Sequence, residues 1–423
     1  MRVLSAIPAC LVVPISSVSA WQSVRPSHGQ LHNTAGGILT ADRPVKCGVP
    51  TCGKGGFLAE SPCSPVSECA LVQLGKRYMW SLSMSTTGGD VVERCDVKAG
   101  PLKQESIPLS TGVSMETLSQ GPSNLSSKRR KELPPLVFIH GSYHAAWCWA
   151  EHWMPFLAGK GYQTYSISLR GSSGTEPPLK ERKSGWMRRD KGNAKRVKIM
   201  EHVEDVKSFV QTVLPGQKPV FISHSFGGVV LLKLLESQSA AVDEGSLGDM
   251  GVSGSVFLCS VPPSGNGPMS RRFLKERPVA ALKIVVGFVL KLAVHWPWLA
   301  RELFFCTSIE QSTLGRYMAN FRADSKMGLD LVDLQKKLPS RTANEEGKAA
   351  WLPRAPPRLV MGGERDYIVD EKGVEEMATF LDTNYIMLPV VAHEVMLGPD
   401  WPIGISRLIN WLEVTDFKTQ GGC

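Results

Sequence analysis

The stretch PVFISHSFGGVVLLKLLE, residues 219–236, decides the fold. It begins with the run Pro-Val-Phe-Ile, which is typical of a short buried strand, and it ends in strong helix formers. Between the two lies Ser225, with small residues at Ser223, Gly227 and Gly228. Small residues are needed where a strand turns sharply into a helix, because the two backbones approach closely and the side chain at the turn is pushed outward. The stretch therefore predicts a presented hydroxyl at Ser225, with a plain capping serine as the alternative.

Organised sequence begins only after about residue 105, and strands and helices then alternate through the rest of the chain. Short, largely apolar runs recur as LVFIH (136–140), QTYSISL (163–169), GSVFLCSV (254–261) and PRLVMGG (357–363). The amphipathic stretch EHVEDVKSFVQTVL (201–214) is typical of a helix that covers such strands. Strands buried on both faces and separated by helices predict an α/β fold with a mostly parallel sheet between two helical layers. The stretch GVSMETLSQG (112–121) has the weaker alternation of an edge strand.

The composition divides the chain into four segments. We expect a targeting leader with disordered sequence at 1–104, the first part of the α/β core at 105–261, a helical cap at 262–353, and the second part of the core at 354–423. The cap contains RPVAALKIVVGFVLKLAVHWPWLARELFF, which resembles a membrane span. Because Lys283, Lys291 and His295 interrupt this run and Pro297 ends it, a cap with an apolar underside is the better interpretation.

Residues 1–41 contain no Asp or Glu, which is typical of an organelle transit peptide. A chloroplast or another organelle is therefore the predicted location. A secretory signal with Val18-Ser19-Ala20 as its cleavage site is the alternative. Six of the ten cysteines lie in the first 95 residues, either in a disordered leader or in a small disulfide-linked module, and the other four are scattered.

The formal net charge of +9 does not by itself indicate nucleic-acid binding, because much of it lies in one stretch, 180–198, with nine Lys or Arg and two acidic residues. A solvated surface loop is the simpler interpretation of this stretch, and peripheral contact with anionic lipid or an anionic partner is the alternative. The sequence has no zinc-like Cys/His spacing and no phosphate-cradling glycine loop, so we expect neither a metal nor an organic cofactor. Nothing in the composition indicates an oligomeric state.

A serine hydroxyl needs a base, and the base needs an acid that orients it. His393 follows the predicted strand TNYIMLPVV, at the carboxyl end of the last strand. Asp366 follows the strand before it, with Glu364 and Asp370 as nearby competitors. The order Ser225, Asp366, His393 is that of hydrolases with a nucleophile elbow.

Two backbone N–H groups are the candidates for stabilising a developing negative oxygen. One belongs to Phe226, at the start of the helix after the serine. The other belongs to Ser142, in the loop after the first central strand, where Gly141 permits close backbone approach and His140 is placed to brace the loop by hydrogen bonding.

The motifs VFIHGSYHAAWCW, SHSFGG, GGERDYIVD and VAHEVML together resemble those of the α/β-hydrolase superfamily, in its cap-bearing branch. They are similar to plant plastid and bacterial proteins described as esterase-like or lysophospholipase-like, and the His-Gly loop is similar to that of plant methylesterases and hydroxynitrile lyases. Ser223 stands where the family usually has glycine.

The resemblance implies hydrolysis of a lipophilic carboxylic ester through the Ser225-His393-Asp366 triad and an acyl-enzyme, without a cofactor. The same triad supports hydroxynitrile lyase or transacylase chemistry. A non-catalytic ligand receptor and a scaffold that binds through its basic loop are further alternatives.

Overall fold

The structure is a computed structural model that describes residues 97–123, 133–175, 196–243, 251–305, 308–324 and 329–417. The predicted leader up to residue 96 and residues 180–195 of the basic stretch lie outside these ranges.

Eight strands form one sheet. They are β1 (Lys103–Pro108), β2 (Ser114–Gln120), β3 (Leu136–Ile139), β4 (Thr164–Ile167), β5 (Val220–His224), β6 (Gly254–Leu258), β7 (Arg358–Gly363) and β8 (Tyr385–Leu388). Their order is β1-β2-β4-β3-β5-β6-β7-β8. The pairs β1–β2 and β2–β4 are antiparallel, and every pair from β4 to β8 is parallel. The predicted α/β class with a mostly parallel sheet is confirmed.

Eleven α-helices lie in the described residues. They are α1 (Trp147–Ala150), α2 (Trp153–Gly159), α3 (Ile199–Val213), α4 (Phe226–Asp243), α5 (Asn266–Glu276), α6 (Pro278–Ile284), α7 (Pro297–Phe304), α8 (Gln311–Asp324), α9 (Leu331–Lys336), α10 (Glu371–Phe380) and α11 (Trp401–Val414). Every residue of β3, β5 and β6 is buried, as their largely apolar sequences predict for strands covered on both faces.

The edge of the sheet differs from the sequence-based expectation. The stretch 112–121 contains β2, which is not at the edge because β1 pairs along its whole length, from Lys103–Ser119 to Pro108–Ser114. The pairing continues outward, since Gly100 N donates to Gly121 O at 2.7 Å. Almost all of β1 is exposed, and it lacks the apolar alternation that would have marked it as a strand.

Gly227 sets how closely α4 lies against β3. A Cβ atom added at this glycine would lie 2.6 Å from Ile139 O and 2.7 Å from His140 O. Because both neighbours are backbone atoms, no side-chain movement could relieve the contact. The glycine after the serine therefore places the start of α4 directly against the end of β3.

The segment between β6 and β7 is largely helical and contains α5 to α9. A π-helical turn, Val285–Val289, and a short 3₁₀ helix, Leu292–Val294, separate α6 from α7. The run that resembled a membrane span is thus divided into short pieces. No helix among the described residues combines the length and the hydrophobicity that crossing a bilayer requires.

Candidate active site

Ser225 lies at the carboxyl end of β5, immediately before α4, in a left-handed backbone conformation with φ of 51°. Its N–H donates to Leu258 O at 3.0 Å, and its carbonyl accepts from Val261 N at 3.1 Å. These two hydrogen bonds join the turn to the end of β6. They stabilise the left-handed backbone at Ser225, a conformation that costs a non-glycine residue about 1–3 kcal/mol. The residue is only 4% exposed, so the serine is presented inside a covered site and not at the open surface.

His393 and Asp366 are brought together. His393 Nδ1 lies 2.8 Å from Asp366 Oδ2, and both side chains are almost completely buried. The other carboxylate oxygen, Oδ1, accepts from Ile368 N at 2.7 Å and from Val369 N at 2.9 Å, which fixes the carboxylate. Burial acts to lower the pKa of His393, but Asp366, helped by Glu394, outweighs burial and raises that pKa above its usual value.

The two acidic competitors are placed elsewhere. Asp370 forms an ion pair with Arg272, with Arg272 Nη2 2.6 Å from its Oδ1, and its Oδ1 also accepts from Gly373 N at 3.0 Å to cap α10. Glu364 is exposed. Of these three carboxylates, Asp366 is the one that pairs with His393.

The loop after β3 runs beside Ser225. A Cβ atom added at Gly141 would lie 2.8 Å from Ser225 Cβ, which explains why this position holds glycine. His140 braces the loop as the sequence predicted: its Nδ1 lies 2.7 Å from Gly141 O, and its Nε2 lies 2.8 Å from Leu169 N. Since Leu169 N can only donate, Nε2 accepts and Nδ1 carries the proton. Burial lowers the pKa of His140 to about 4, in agreement with a neutral ring.

The Ser142 peptide is oriented by the His140 bond. In a trans peptide the C=O and the following N–H point in opposite directions. Because Gly141 O faces His140, the N–H of Ser142 is turned away from that ring. The second candidate donor, Phe226 N–H, belongs to the first turn of α4, where backbone N–H groups have no partner within the helix.

A second carboxylate–histidine pair, which the sequence reasoning missed, lies beside the first. Glu394 Oε2 is 2.9 Å from His144 Nε2, and both side chains are almost completely buried. His144 Nδ1 lies 2.7 Å from Ser142 O. Burial acts to raise the pKa of Glu394, but His144, with smaller contributions from His224 and His393, lowers it to about 2. An acidic residue directly after His393, in the otherwise apolar surroundings of VAHEVML, was the signal that could have found it.

His224 connects the serine turn to the loop of His393. Its Nε2 lies 2.9 Å from His393 O, and the two rings are 4.8 Å apart. Burial lowers the pKa of His224 to about 3, so the ring is neutral and Nε2 donates. One nitrogen each of His144 and His224 and one carboxylate oxygen of Glu394 all lie within 4.8 Å of one another. Imidazole and carboxylate are side chains that bind zinc, so these three residues could hold a metal ion.

Cys259 is a further residue that the sequence did not single out. It follows β6 with φ of 44°, and its N–H donates to Met361 O at 2.8 Å. Burial and the neighbouring Asp366 raise the pKa of its thiol well above the usual value, so the thiol is neutral and lies against the carboxylate that holds His393.

Comparison with known proteins finds similarity over much of the chain. A model described as "Alpha/beta hydrolase family" matches residues 136–401, more than half of the chain. Methylesterase 10 of Arabidopsis thaliana is 26% identical over 144 residues, which cover 33% of this chain and 42% of that protein. Putative methylesterase 15, chloroplastic, of Arabidopsis thaliana is 26% identical over 119 residues, which cover 27% of this chain and 23% of that protein. The match thus spans less than half the length of either relative.

Among solved structures, epoxide hydrolase I of potato (Solanum tuberosum) is 17% identical with a TM-score of 0.50, and the alignment covers 73% of this chain and 98% of that one. At this identity the likeness concerns the fold alone.

Proposed function

The chain belongs to the alpha/beta hydrolase family, and on that premise we propose that it is a serine hydrolase that cleaves a lipophilic carboxylic ester through an acyl-enzyme. The observation that carries the proposal is the pairing of His393 with the buried Asp366 at 2.8 Å. The His393 carbonyl lies 2.9 Å from Nε2 of His224, the residue that precedes Ser225, and Ser225 is held at a positive φ. A capping serine would need neither the strained backbone nor a carboxylate–histidine pair.

In the proposed reaction, Ser225 Oγ attacks the ester carbonyl carbon and His393 Nε2 takes the hydroxyl proton. His393 then gives that proton to the departing alkoxide, and the alcohol leaves. Water attacks the acyl-enzyme with His393 again as the base, which releases the acid and restores Ser225. Asp366 accepts from Nδ1–H throughout, which keeps Nε2 free to accept and stabilises the imidazolium that forms.

The N–H groups of Ser142 and Phe226 are the proposed donors to the oxyanion. The loss of one such donor typically costs about 3 kcal/mol of transition-state stabilisation. This assignment is supported by His140, which orients the peptide between Gly141 and Ser142. It is also supported by His144, which lies against Glu394 and contacts the carbonyl of Ser142.

A lipophilic substrate is supported by aromatic side chains packed on the oxyanion loop. The Tyr143 ring lies 4.8 Å from that of Phe288 and 6.2 Å from that of Phe304, and the Tyr143 hydroxyl donates to Phe288 O. Apolar walls favour an ester with apolar acyl or alcohol groups. The names of the two plant relatives, both methylesterases, support a small alcohol such as methanol as the leaving group.

A fluorophosphonate probe with a fluorescent tag tests the proposal, because it labels only an activated serine. We expect one label per chain in the wild type, none in Ser225→Ala, and loss of p-nitrophenyl ester hydrolysis in the same variant. Alanine fits the turn, so Tm should change little. An unlabelled wild type, or a Ser225→Ala variant that still turns over ester, would exclude the proposed mechanism.

We also propose a plastid location, supported by the absence of acidic residues from 1–41 and by the word "chloroplastic" in the name of one relative. Residues 1–104 fused to a fluorescent protein should direct it into plastids, and secretion of the fusion would instead favour the signal-peptide alternative.

A further inference from the structure

The segment between β6 and β7 carries an unusual concentration of exposed large apolar side chains. Of the ten that stand out among the described residues, six fall between residues 274 and 298: Leu274, Val279, Leu282, Leu290, Trp296 and Trp298, with exposures of 41–65%. We call these six the outer face. The helix α6, although mostly apolar, has no buried residue at all. The rings of Trp296 and Trp298 are stacked 6.0 Å apart. Scattered single apolar residues need no explanation, but six exposed large apolar side chains within 25 consecutive residues, two of them stacked, point to an interaction surface.

The same segment is strongly basic. Residues 266–305 contain seven Lys or Arg and two Glu. Arg272 forms an ion pair with Asp370, and Lys283 forms one with Glu302. The side chains of Arg271, Lys275, Arg277 and Lys291 are exposed. Protein surfaces that lie in the interface of an anionic bilayer combine exposed tryptophan and leucine with lysine and arginine, and this segment has the same combination.

The inner side of this segment is already occupied, so the outer face is not an unfinished core. Leu299, Ala300 and Leu303 of α7 are completely buried. A Cβ atom added at Gly287 in the π-helical turn would lie 2.3 Å from Leu303 Cδ1, which shows that the turn packs tightly on α7. Since Phe288 accepts from the Tyr143 hydroxyl, the turn also reaches the loop of the candidate active site.

We propose that the outer face docks this protein on the surface of an anionic lipid bilayer, with its tryptophan and aliphatic side chains inserted at the level of the headgroups and its cations against the lipid phosphates. The tryptophan rings suit this position because they are apolar with one polar N–H. The bilayer surface attracts the cations within about a Debye length, and insertion of the apolar side chains then holds the protein. A lipophilic ester in the bilayer would meet the segment that contacts the loop of the candidate active site.

The test is sedimentation of the purified full chain with vesicles of phosphatidylcholine, alone or mixed with phosphatidylglycerol. We expect binding at least about tenfold tighter to the mixed vesicles, weakening as salt screens the charges. The triple variant Leu282→Ser, Trp296→Ser, Trp298→Ser should bind at least about tenfold more weakly. Quenching of tryptophan emission by brominated lipid should fall in the same variant.

A matched control is available on α9, where Leu331 and Val332 are 52% and 56% exposed but lie outside the outer face. The double variant Leu331→Ser, Val332→Ser should bind vesicles like the wild type. Tm and hydrolysis of a soluble ester should be preserved in both variants, which separates this proposal from the proposed reaction.

Three results would overturn bilayer docking. The first is a wild type that does not sediment with the anionic vesicles, and the second is a triple variant that binds as tightly as the wild type. The third is a dimer in analytical ultracentrifugation that the triple variant abolishes while vesicle binding is absent, because the outer face would then bind a second copy of the chain.

Discussion

Asp366→Asn separates the role of the acid from its structural contacts. In the wild type, Asp366 Oδ1 accepts from Ile368 N at 2.7 Å and from Val369 N at 2.9 Å, while Oδ2 faces His393 Nδ1. The asparagine amide must leave its oxygen on the two N–H donors, since its NH₂ group cannot accept from them. The NH₂ group therefore faces His393 Nδ1.

That orientation reverses the tautomer of the imidazole. Nδ1 becomes the acceptor, so Nε2 carries the proton and cannot take another from Ser225. The corresponding change in a well-studied serine protease lowers kcat about 10⁴-fold, which corresponds to about 5 kcal/mol of activation free energy. Because the side-chain volume and the two backbone bonds are retained, Tm should fall by only a few degrees.

Hydrolysis of p-nitrophenyl acetate measures kcat, and thermal denaturation followed by circular dichroism measures Tm. Asp370→Asn is the matched control: it loses the ion pair with Arg272 but keeps an oxygen to cap α10. This variant should lose some stability and retain kcat. A fall in kcat below about tenfold for Asp366→Asn, or a larger loss in Asp370→Asn, would refute the assignment of the acid.

The acid limb of the pH–kcat/KM profile should have its midpoint above 6.5, the ordinary histidine pKa, because His393 must be neutral to act as a base and its pKa is raised. Glu394→Gln removes a negative charge that helps to raise this pKa and breaks the pair with His144, so kcat should fall and the limb should move to lower pH; an unchanged profile would contradict this. Gly227→Ala should abolish activity and lower the free energy of unfolding by about 3 kcal/mol, because its Cβ atom would meet backbone oxygens of Ile139 and His140. Gly315→Ala is the control: this glycine has open space around it, so the same chemical denaturation assay should show a gain of up to about 1 kcal/mol.

The local parts of the candidate site could be predicted from the sequence. The strand, the turn and the helix around Ser225 follow one another directly, so their apolar pattern and small residues predict the turn without knowledge of the rest of the chain. His393 was placed at the end of the last strand for the same reason, and His140 in the loop after β3. The α/β class followed from the alternation of apolar runs and amphipathic stretches.

The tertiary structure was needed wherever two distant segments had to be paired or where burial had to be distinguished from hydrophobicity. The choice of Asp366 over Asp370 depends on which carboxylate faces His393 across the loop, and the pair formed by Glu394 and His144 joins residues 250 positions apart. The strand β1 has no apolar alternation, since it is held to β2 by backbone hydrogen bonds that leave no trace in side-chain composition. Likewise, α6 is mostly apolar in sequence, yet none of its residues is fully buried: hydrophobicity belongs to a residue, whereas burial depends on what the rest of the chain places against it.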